Sequence, residues 1–253
     1  MLVSHYNINE FWENKDEFIS EGSTLLIDKD LTWTSNDVVS KLRGMLRTKK
    51  VGHAGTLDPF ATGLLIVCIG KDTKKINQFA DAHKTYYATA RLGAVTKSFD
   101  AEHPELNQKN IDHITSENIK SVVNTMQGKQ LQVPPIYSAK KLNGQRHYEL
   151  SRKNIKVVPN SCEIDIDDIQ LHDYYKPFFE FSIKCSKGTY IRSIANDIGA
   201  KLELGAYLFK LRRTAIGDLS VDNAFKIDSF NNFIKRTWMF IKILLKSDMI
   251  WIQ

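Results

Sequence analysis

The residues Val51-Gly52-His53-Ala54-Gly55-Thr56-Leu57-Asp58-Pro59-Phe60-Ala61-Thr62-Gly63-Leu64-Leu65 contain three glycines, two threonines and one proline. Glycine leaves the backbone free, and proline fixes φ and removes a hydrogen-bond donor. The stretch is therefore predicted to be a shaped loop rather than a helix or a strand. Its one acidic residue, Asp58, precedes Pro59, which biases the backbone of the aspartate toward extended geometry.

A core strand is expected directly after this loop. The run from Leu64 to Ile69 is continuously apolar and is followed by Gly70, a pattern typical of a buried strand. The carboxylate of Asp58 is thus expected on a loop braced by the core. Taken alone, an Asp-Pro pair is more often a simple turn between two elements than a catalytic site, so the dipeptide leaves both interpretations open.

The longer string favours catalysis. Residues 52–65 closely resemble the catalytic loop of the TruB family, the tRNA pseudouridine synthases that isomerise the T-loop uridine at position 55. The resemblance implies that Asp58 is the essential catalytic group. It also implies that His53, five residues earlier, contacts the substrate nucleotide.

The charge of the chain suits a polyanionic partner. Its 253 residues carry 35 Lys+Arg against 29 Asp+Glu, a net charge of +6. Any one basic cluster could be solvated surface, but several clusters that flank one candidate site favour phosphate contacts. The clusters are Lys41, Arg43, Arg47, Lys49 and Lys50; Lys140, Lys141, Arg146, Arg152, Lys153 and Lys156; and Lys210, Arg212 and Arg213.

Composition also argues against a disulfide-bonded, metal-binding, secreted or membrane-spanning protein. The cysteines Cys68, Cys162 and Cys185 are odd in number, widely spaced and set in apolar sequence, which indicates reduced core residues of a cytosolic protein. No Cys/His pair has zinc spacing, so no metal is expected. The N-terminus has no signal-peptide pattern, and no apolar run reaches the roughly 20 residues of a membrane span. We expect a cytoplasmic protein.

The region before the loop predicts a strand and a helix. Leu25 to Lys29 reads as a short strand, and Ser35-Asn36-Asp37 offers a cap for a helix with apolar residues at helical spacing. This stretch resembles the family's first motif, which implies a substrate-side role for Lys29. Asp30 stands where the family usually has proline, and its carboxylate could pair with Lys29 and draw the charge away from RNA.

Tyr86 is a second candidate site residue. Period-two alternation from Lys84 to Leu92 predicts a strand in which Tyr86 faces inward. A core tyrosine would produce the same pattern. The resemblance implies instead that Tyr86 stacks on the target base and takes part in proton handling at its C5.

Arg192 is the third candidate. Ile191, Ile194 and Ile198 mark the buried stripe of a helix, so Arg192 falls in the first turn, where the helix dipole disfavours a cation by about 0.3–1 kcal/mol. An anionic partner, phosphate or carboxylate, would remove the conflict. The family's Lys-Gly-Thr-Tyr-Ile-Arg motif implies that this partner is Asp58.

Three further segments complete the pattern. Gly205 to Thr214 reads as an amphipathic strand and resembles the family's last shared motif, which implies that Leu211 lines the base pocket. A helix is predicted from Ser116 to Gln127, ended by Gly128, and a polar loop over 94–110. The basic, aromatic segment 133–148 belongs to a predicted RNA-gripping insertion over about 129–160, although a plain surface hairpin would look similar. The predicted RNA contacts are Lys49, Lys50, Lys140, Lys141 and Arg146.

The resemblance implies an α/β (α+β) pseudouridine synthase fold with a mixed, largely antiparallel central sheet and flanking helices. The predicted organisation is an N-terminal extension over 1–21 on the surface, a catalytic domain over 22–220, and a short helical tail over 221–253 without the C-terminal PUA domain of many relatives. The expected substrate is the T-stem-loop of tRNA, bound by a monomer that needs no cofactor.

Other classes fit the residues less well. A glycosidase needs a second catalytic carboxylate, and an aspartyl-phosphate enzyme needs magnesium and further acids near the nucleophile; the motifs supply neither. A non-catalytic RNA-binding module would keep the basic and aromatic residues without needing Asp58 or Arg192. A guide-RNA-dependent relative would depend on the PUA domain and on protein partners.

Overall fold

The computed structural model describes residues 1–135 and 160–229, together with the backbone of Lys141–Leu142 and Gln145–Arg146. The chain divides into two compact units, one formed by Met1–Asn77 with the residues from Ser220 onward, the other by Gln78–Leu219. The predicted catalytic domain over 22–220 thus includes parts of both units. Apart from the backbone of those four residues, the parts of the predicted insertion and tail over 136–159 and 230–253 lie outside the described residues.

The first unit combines a small mixed sheet with short helices. Strand β2 pairs in parallel with β1, and β4 pairs antiparallel with both β2 and β3. The elements are β1 (Leu2–Val3), α1 (Ile8–Glu13), α2 (Lys15–Glu21), β2 (Ser23–Lys29), α3 (Ser35–Leu46), β3 (Val51–Ala54), β4 (Ala61–Ile69), a 3₁₀ helix (Gly70–Lys75), α4 (Ile76–Asp81, across the boundary) and a second 3₁₀ helix (Val221–Asn223).

Helix α3 supplies one side of this unit's core. Its buried stripe includes Val38, Leu42 and Leu46, which share a cluster with residues of β2 and β4. The cap lies one residue earlier than expected. Thr34 is the N-cap residue, and it forms a capping box with Asp37. The box satisfies two backbone donors that the first turn of a helix would otherwise leave unpaired.

The prediction that the whole of Val51–Leu65 is a loop was wrong at both ends. Val51–Ala54 is strand β3, and the strand after the loop begins at Ala61, three residues before the expected start. Pairing with β4 gives the backbone of β3 the hydrogen bonds that an extended segment in the core requires. The true loop is therefore residues 55–60.

The expectation that residues 1–21 lie on the surface was also wrong in part. Val3 and Phe11 are fully buried and belong to the core cluster of the first unit. Their sequence has no clear period because it supplies a two-residue strand and two short helices, which are too brief to show one.

The second unit is built on an antiparallel sheet in the order β11-β5-β10-β9-β6. The predicted strands and the helix at Ile191 are confirmed. The elements are β5 (Lys84–Leu92), α5 (Ser116–Asn124), β6 (Gly128–Gln132), the paired β7 (Lys141–Leu142) and β8 (Gln145–Arg146), β9 (Cys162–Tyr175), β10 (Phe178–Cys185), α6 (Ile191–Lys201), β11 (Ala206–Ile216) and β12 (Leu219–Ser220), whose last residue lies beyond the boundary.

Helix α5 is shorter than predicted. It ends at Asn124, and Gly128, with φ of +98°, opens β6 instead of capping the helix. The chain turns between them, where the Thr125 hydroxyl donates to the carbonyl of Val122. A side-chain bond of this kind competes with continued helical pairing.

Helix α6 lies close against β11 because of one glycine. A Cβ atom added to Gly199 would stand 2.0 Å from the backbone nitrogen of Ala206. Only glycine permits so close an approach. The last turn of α6 is thereby held close against β11 in the second unit. The mixed, largely antiparallel α/β class is confirmed.

Candidate active site

The loop that carries Asp58 is held from both sides. The amide of Leu57 donates to the Ser35 hydroxyl (2.9 Å), which in turn donates to the Leu57 carbonyl (3.2 Å). On the other side, the amide of Thr32 donates to the carbonyl of Pro59 (2.8 Å). Asp58 itself is half-buried, and Leu57 is 3% exposed. The backbone on each side of the carboxylate is therefore fixed by the first unit.

Lys29 braces the same loop from within. Its side chain is 1% exposed, and its ammonium donates to the carbonyls of Trp33 (2.6 Å), Asp30 (2.9 Å) and Pro59 (3.4 Å). A buried ammonium is costly unless it is hydrogen-bonded. These carbonyls provide that compensation and link the end of β2 to the residue after Asp58.

The expected pairing of the Asp30 carboxylate with Lys29 is wrong. Asp30 pairs instead with Lys226, at 2.8 Å between the ammonium nitrogen and a carboxylate oxygen. The reason is geometric: Lys29 points into the buried turn, whereas the Asp30 side chain is 38% exposed. The departure from the family's proline therefore leaves the charge of Lys29 inside the turn.

Three other candidates of the first unit lie near the loop in the chain. His53 is half-buried on β3, opposite Val67 of β4. Lys49 and Lys50 are exposed in the link between α3 and β3. Exposure leaves these two ammonium groups available to a phosphate.

Tyr86 and Leu211 share a face in the second unit. Leu211 on β11 stands opposite Ala88 on β5, two residues from Tyr86 on the same strand. Side chains at i and i+2 of a strand lie on one face, and diagonal neighbours are within reach of an aromatic ring. Leu211 is 8% exposed and Tyr86 is half-buried. The predicted stacking residue and the predicted pocket residue are thus neighbours.

The third basic residue of β11 is not at the surface. Arg213, directly opposite Tyr86, is 1% exposed. Its place in a predicted phosphate-binding cluster was therefore wrong, because it lies on the same buried face of β11 as Leu211, two residues earlier.

Arg192 has the anionic partner that its place in the first turn of α6 requires. Its guanidinium donates to the Asp100 carboxylate at 3.1 Å, and the two side chains are 6% and 1% exposed. It also donates to the carbonyl of Ser98 (3.3 Å). A carboxylate, one of the two predicted kinds of partner, is present. The predicted pairing of Arg192 with Asp58 stays a prediction.

Asp100 was missed at the level of sequence. It lies in the polar loop over 94–110, which gave no candidates, and 92 residues separate it from Arg192. Phe99, the preceding residue, has φ of +64°. Such backbone in a non-glycine residue costs about 1–3 kcal/mol and is typical of functional sites. The only sequence signal was the need of Arg192 for an anion.

The start of α6 is fastened to β6 by one side chain. Gln132, 1% exposed, accepts from the amide of Tyr190 (2.8 Å) and donates to its carbonyl (3.1 Å). Tyr190 is the N-cap and makes no side-chain cap of its own. Gln132 therefore pins the backbone of the N-cap residue through both its amide and its carbonyl, and so holds the start of the turn that carries Arg192.

Comparison with known sequences places this geometry in a family. Residues 43–191 match the TruB family pseudouridylate synthase N-terminal domain. The chain is 43% identical over 226 residues to tRNA pseudouridine synthase B of Parabacteroides distasonis, which covers 87% of this chain and 96% of that protein. It is 44% identical over 212 residues to the synthase of the same name from Chlorobium chlorochromatii, covering 82% and 83%. The chain belongs to the TruB family.

Solved structures agree on the fold of this TruB-family protein. The chain is similar to one in the crystal structure of a Cbf5-Nop10-Gar1 complex, with a TM-score of 0.65 and 24% identity. The match covers 84% of this chain and 54% of that one. A second similar chain is in the structure of an H/ACA RNP bound to a substrate RNA containing 2′-deoxyuridine, with a TM-score of 0.64 and 23% identity. The chain spans about half of those structures.

The remaining predicted RNA contacts of the TruB-family chain lie wholly or partly outside the described residues. Lys140 is not among the described residues, and only the backbone of Lys141 and Arg146 is described, as partners in the β7–β8 pair. Within the described ranges, no three or more His, Cys, Asp and Glu side chains are grouped so as to hold a metal ion. No helix in the part of the chain that the structure describes is long and apolar enough to cross a membrane.

Proposed function

We propose that this pseudouridylate synthase isomerises uridine 55 in the T-loop of tRNA, with Asp58 as the catalytic group. The observation that carries the proposal is the match to relatives named tRNA pseudouridine synthase B, at over 40% identity along most of both chains. The braced loop around Asp58 supports it, because catalysis requires a reacting carboxylate in a fixed position.

The reaction defines what the residues have to do. The bond between N1 and C1′ breaks, the detached uracil turns, and C5 bonds to C1′. C5 then loses its proton and N1 gains one, so no redox change occurs and no group is lost. Because every atom is retained, we expect neither a cofactor nor a metal to be needed.

Asp58 acts either as the nucleophile at C1′ or as the base that forms a glycal intermediate. Both roles require an ionised carboxylate in a partly desolvated place. Burial raises the pKa of a carboxylic acid in general, and a close cation lowers it. Arg192 is the proposed cation, and its own orientation is set by Asp100.

The other residues hold the flipped nucleotide. An enzyme that acts on a base takes it out of the stack and holds it between aromatic and apolar walls. Tyr86 stacks on the uracil and assists loss of the C5 proton, Leu211 closes the pocket beside it, and His53 holds the nucleotide. Lys29, predicted to bind substrate, acts from behind the loop through its bonds to backbone carbonyls.

Binding of the T-stem relies on charge. The exposed Lys49 and Lys50 are proposed phosphate contacts, together with Lys140, Lys141 and Arg146 of the predicted insertion. Each phosphate neutralised contributes about 0.7–0.9 to the slope of log affinity against log salt. We propose a monomeric enzyme that works in the cytoplasm.

The test uses two RNA substrates. A transcript of a tRNA T-stem-loop and the same transcript with cytidine at position 55 are incubated with the protein, and pseudouridine is mapped by carbodiimide adducts and primer extension. A stop at position 55 in the uridine transcript alone supports the proposal. A stop at another uridine in both would refute the position, and no stop despite binding would indicate an RNA-binding module.

A further inference from the structure

The carboxylate of Asp100 is held through both of its oxygens. Oδ2 accepts from the guanidinium of Arg192 (3.1 Å), and Oδ1 accepts from the Ser98 hydroxyl (2.5 Å) and the amide of Glu102 (3.0 Å). The plane of the carboxylate is thereby fixed, which determines the direction from which the guanidinium is held.

The proton positions in this network follow from counting donors. Ser98 has one hydroxyl proton, and it is used on Asp100. Nδ1 of His103 lies 2.9 Å from the same hydroxyl oxygen. Since that oxygen has no second proton to give, His103 must be the donor, with its proton on Nδ1. The chain of donation therefore runs from His103 through Ser98 to Asp100.

We propose that Ser98 and His103 are positioning residues for Arg192, in which His103 directs the Ser98 hydroxyl onto Asp100 and Asp100 holds the guanidinium in its working orientation. The inference rests on the proposed function, because it assigns these two residues to the same reaction. Neither residue is expected to touch the RNA.

Burial gives the network its strength. Ser98 and Asp100 are each 1% exposed and Arg192 is 5% exposed, while His103 is partly buried at the outer end. Hydrogen bonds in a low-dielectric interior polarise one another, and a network can contribute more than the sum of its single bonds. A change at His103 is therefore transmitted to the buried pair.

The position of Arg192 makes it sensitive to this support. A cation in the first turn of a helix is disfavoured by the helix dipole, and the negative charge of Asp100 offsets that cost. If the carboxylate turns, the guanidinium moves with it. Because the proposed task of Arg192 is to orient Asp58, such a movement lowers kcat and leaves the affinity for RNA unchanged.

The first test compares three variants at histidines. His103→Ala removes the donor, His103→Asn places an amide nitrogen where Nδ1 stood, and His113→Ala changes an exposed histidine of the same unit as a control. We expect His103→Ala to lower kcat about 10-fold and to change KM by no more than about twofold. This is the effect of losing one hydrogen bond that supports the transition state but not the binding of RNA. His103→Asn should recover most of the loss, and His113→Ala should match the wild type.

The second test asks whether the two residues act in series. Ser98→Thr keeps the hydroxyl and should remain active, whereas Ser98→Ala should lower kcat at least as much as His103→Ala. The double variant Ser98→Ala/His103→Ala should lose no more than Ser98→Ala alone, because His103 acts through Ser98. Thermal unfolding of each variant shows whether lost activity is merely lost fold.

The outcomes separate this inference from the proposed function. An active wild type with an unaffected His103→Ala overturns the inference and leaves the function standing. Multiplied losses in the double variant, a rise in KM alone, or no recovery in His103→Asn also overturn it. A wild type that forms no pseudouridine refutes the function, and the assignment to its reaction falls with it.

Discussion

Replacing Lys29 by methionine separates a structural role from a role in RNA binding. The side chain is 1% exposed, and its ammonium donates to three backbone carbonyls around the loop of Asp58. Lys29→Met keeps much of the shape and removes the charge and the donors. The carbonyls of Asp30, Trp33 and Pro59 then lose the partner that held them together.

The expected loss of stability follows from the bond lengths. A hydrogen bond to a charged group contributes about 1.5–3 kcal/mol. The bonds to Trp33 (2.6 Å) and Asp30 (2.9 Å) count in full, and the bond to Pro59 (3.4 Å) is too long to add much. Because methionine avoids the desolvation of a buried ammonium, the net loss should be about 2–4 kcal/mol.

Urea unfolding measures this loss. Trp12 and Trp33, the tryptophans among the described residues, both belong to the unit that contains Lys29, so their fluorescence reports on that part of the chain. With a slope of about 2–3 kcal/mol per molar urea, the midpoint should fall by about 1 M. Lys71→Met is the matched control, since its exposed ion pair with Glu21 should contribute less than about 1 kcal/mol.

The salt dependence of tRNA binding tests the alternative, in which Lys29 contacts the RNA. If Lys29→Met leaves the urea midpoint unchanged but lowers the salt dependence of tRNA binding by about one unit of slope, Lys29 contacts a phosphate. The bracing of the loop by Lys29 would then be refuted, and its predicted place among the substrate-binding residues would stand.

Three further predictions concern the second unit. Asp100→Asn should destabilise the protein by about 3 kcal/mol in urea unfolding, because it removes the negative charge from the buried ion pair with Arg192; a loss below about 1 kcal/mol would show that the pair is not desolvated. Burial lowers the pKa of Lys84 to about 8, so between about pH 8 and 10 the native protein holds fewer protons than the unfolded chain. The stability of the wild type relative to Lys84→Met should therefore rise across that window, and parallel stability curves would contradict it. Burial raises the pKa of the Cys185 thiol to about 12, so mass spectrometry after iodoacetamide treatment at pH 8 should find Cys162 labelled and Cys185 protected until the protein unfolds; labelling of native Cys185 would show that its site opens.

Helices and strands were predicted best where the apolar pattern in the sequence was long. The strand after the Asp58 loop and the helix from Ile191 were confirmed, because continuous apolar runs and helical spacing reflect a single buried face. The prediction failed at β3, where the frequency of glycine indicated a loop although the backbone pairs with β4. Tertiary pairing decided the structure there, and residue type did not.

Contacts between residues distant in the sequence were the main part of the candidate site that could not be predicted. The need of Arg192 for an anion was readable from its place in the helix, but nothing in the loop over 94–110 singled out Asp100. The two-way bond between Ser35 and Leu57, 22 residues apart, was equally invisible. Local patterns predict which residues need partners, and only the fold identifies the partners.

The most direct measurement compares the wild type with Asp58→Asn on a T-stem-loop transcript, mapping pseudouridine by carbodiimide adducts and primer extension. Asparagine keeps the size of the side chain and removes its charge, so folding and RNA affinity should be close to those of the wild type. We predict a stop at position 55 with the wild type and none with the variant. A stop of similar strength with Asp58→Asn would contradict the assignment of Asp58 as the catalytic group.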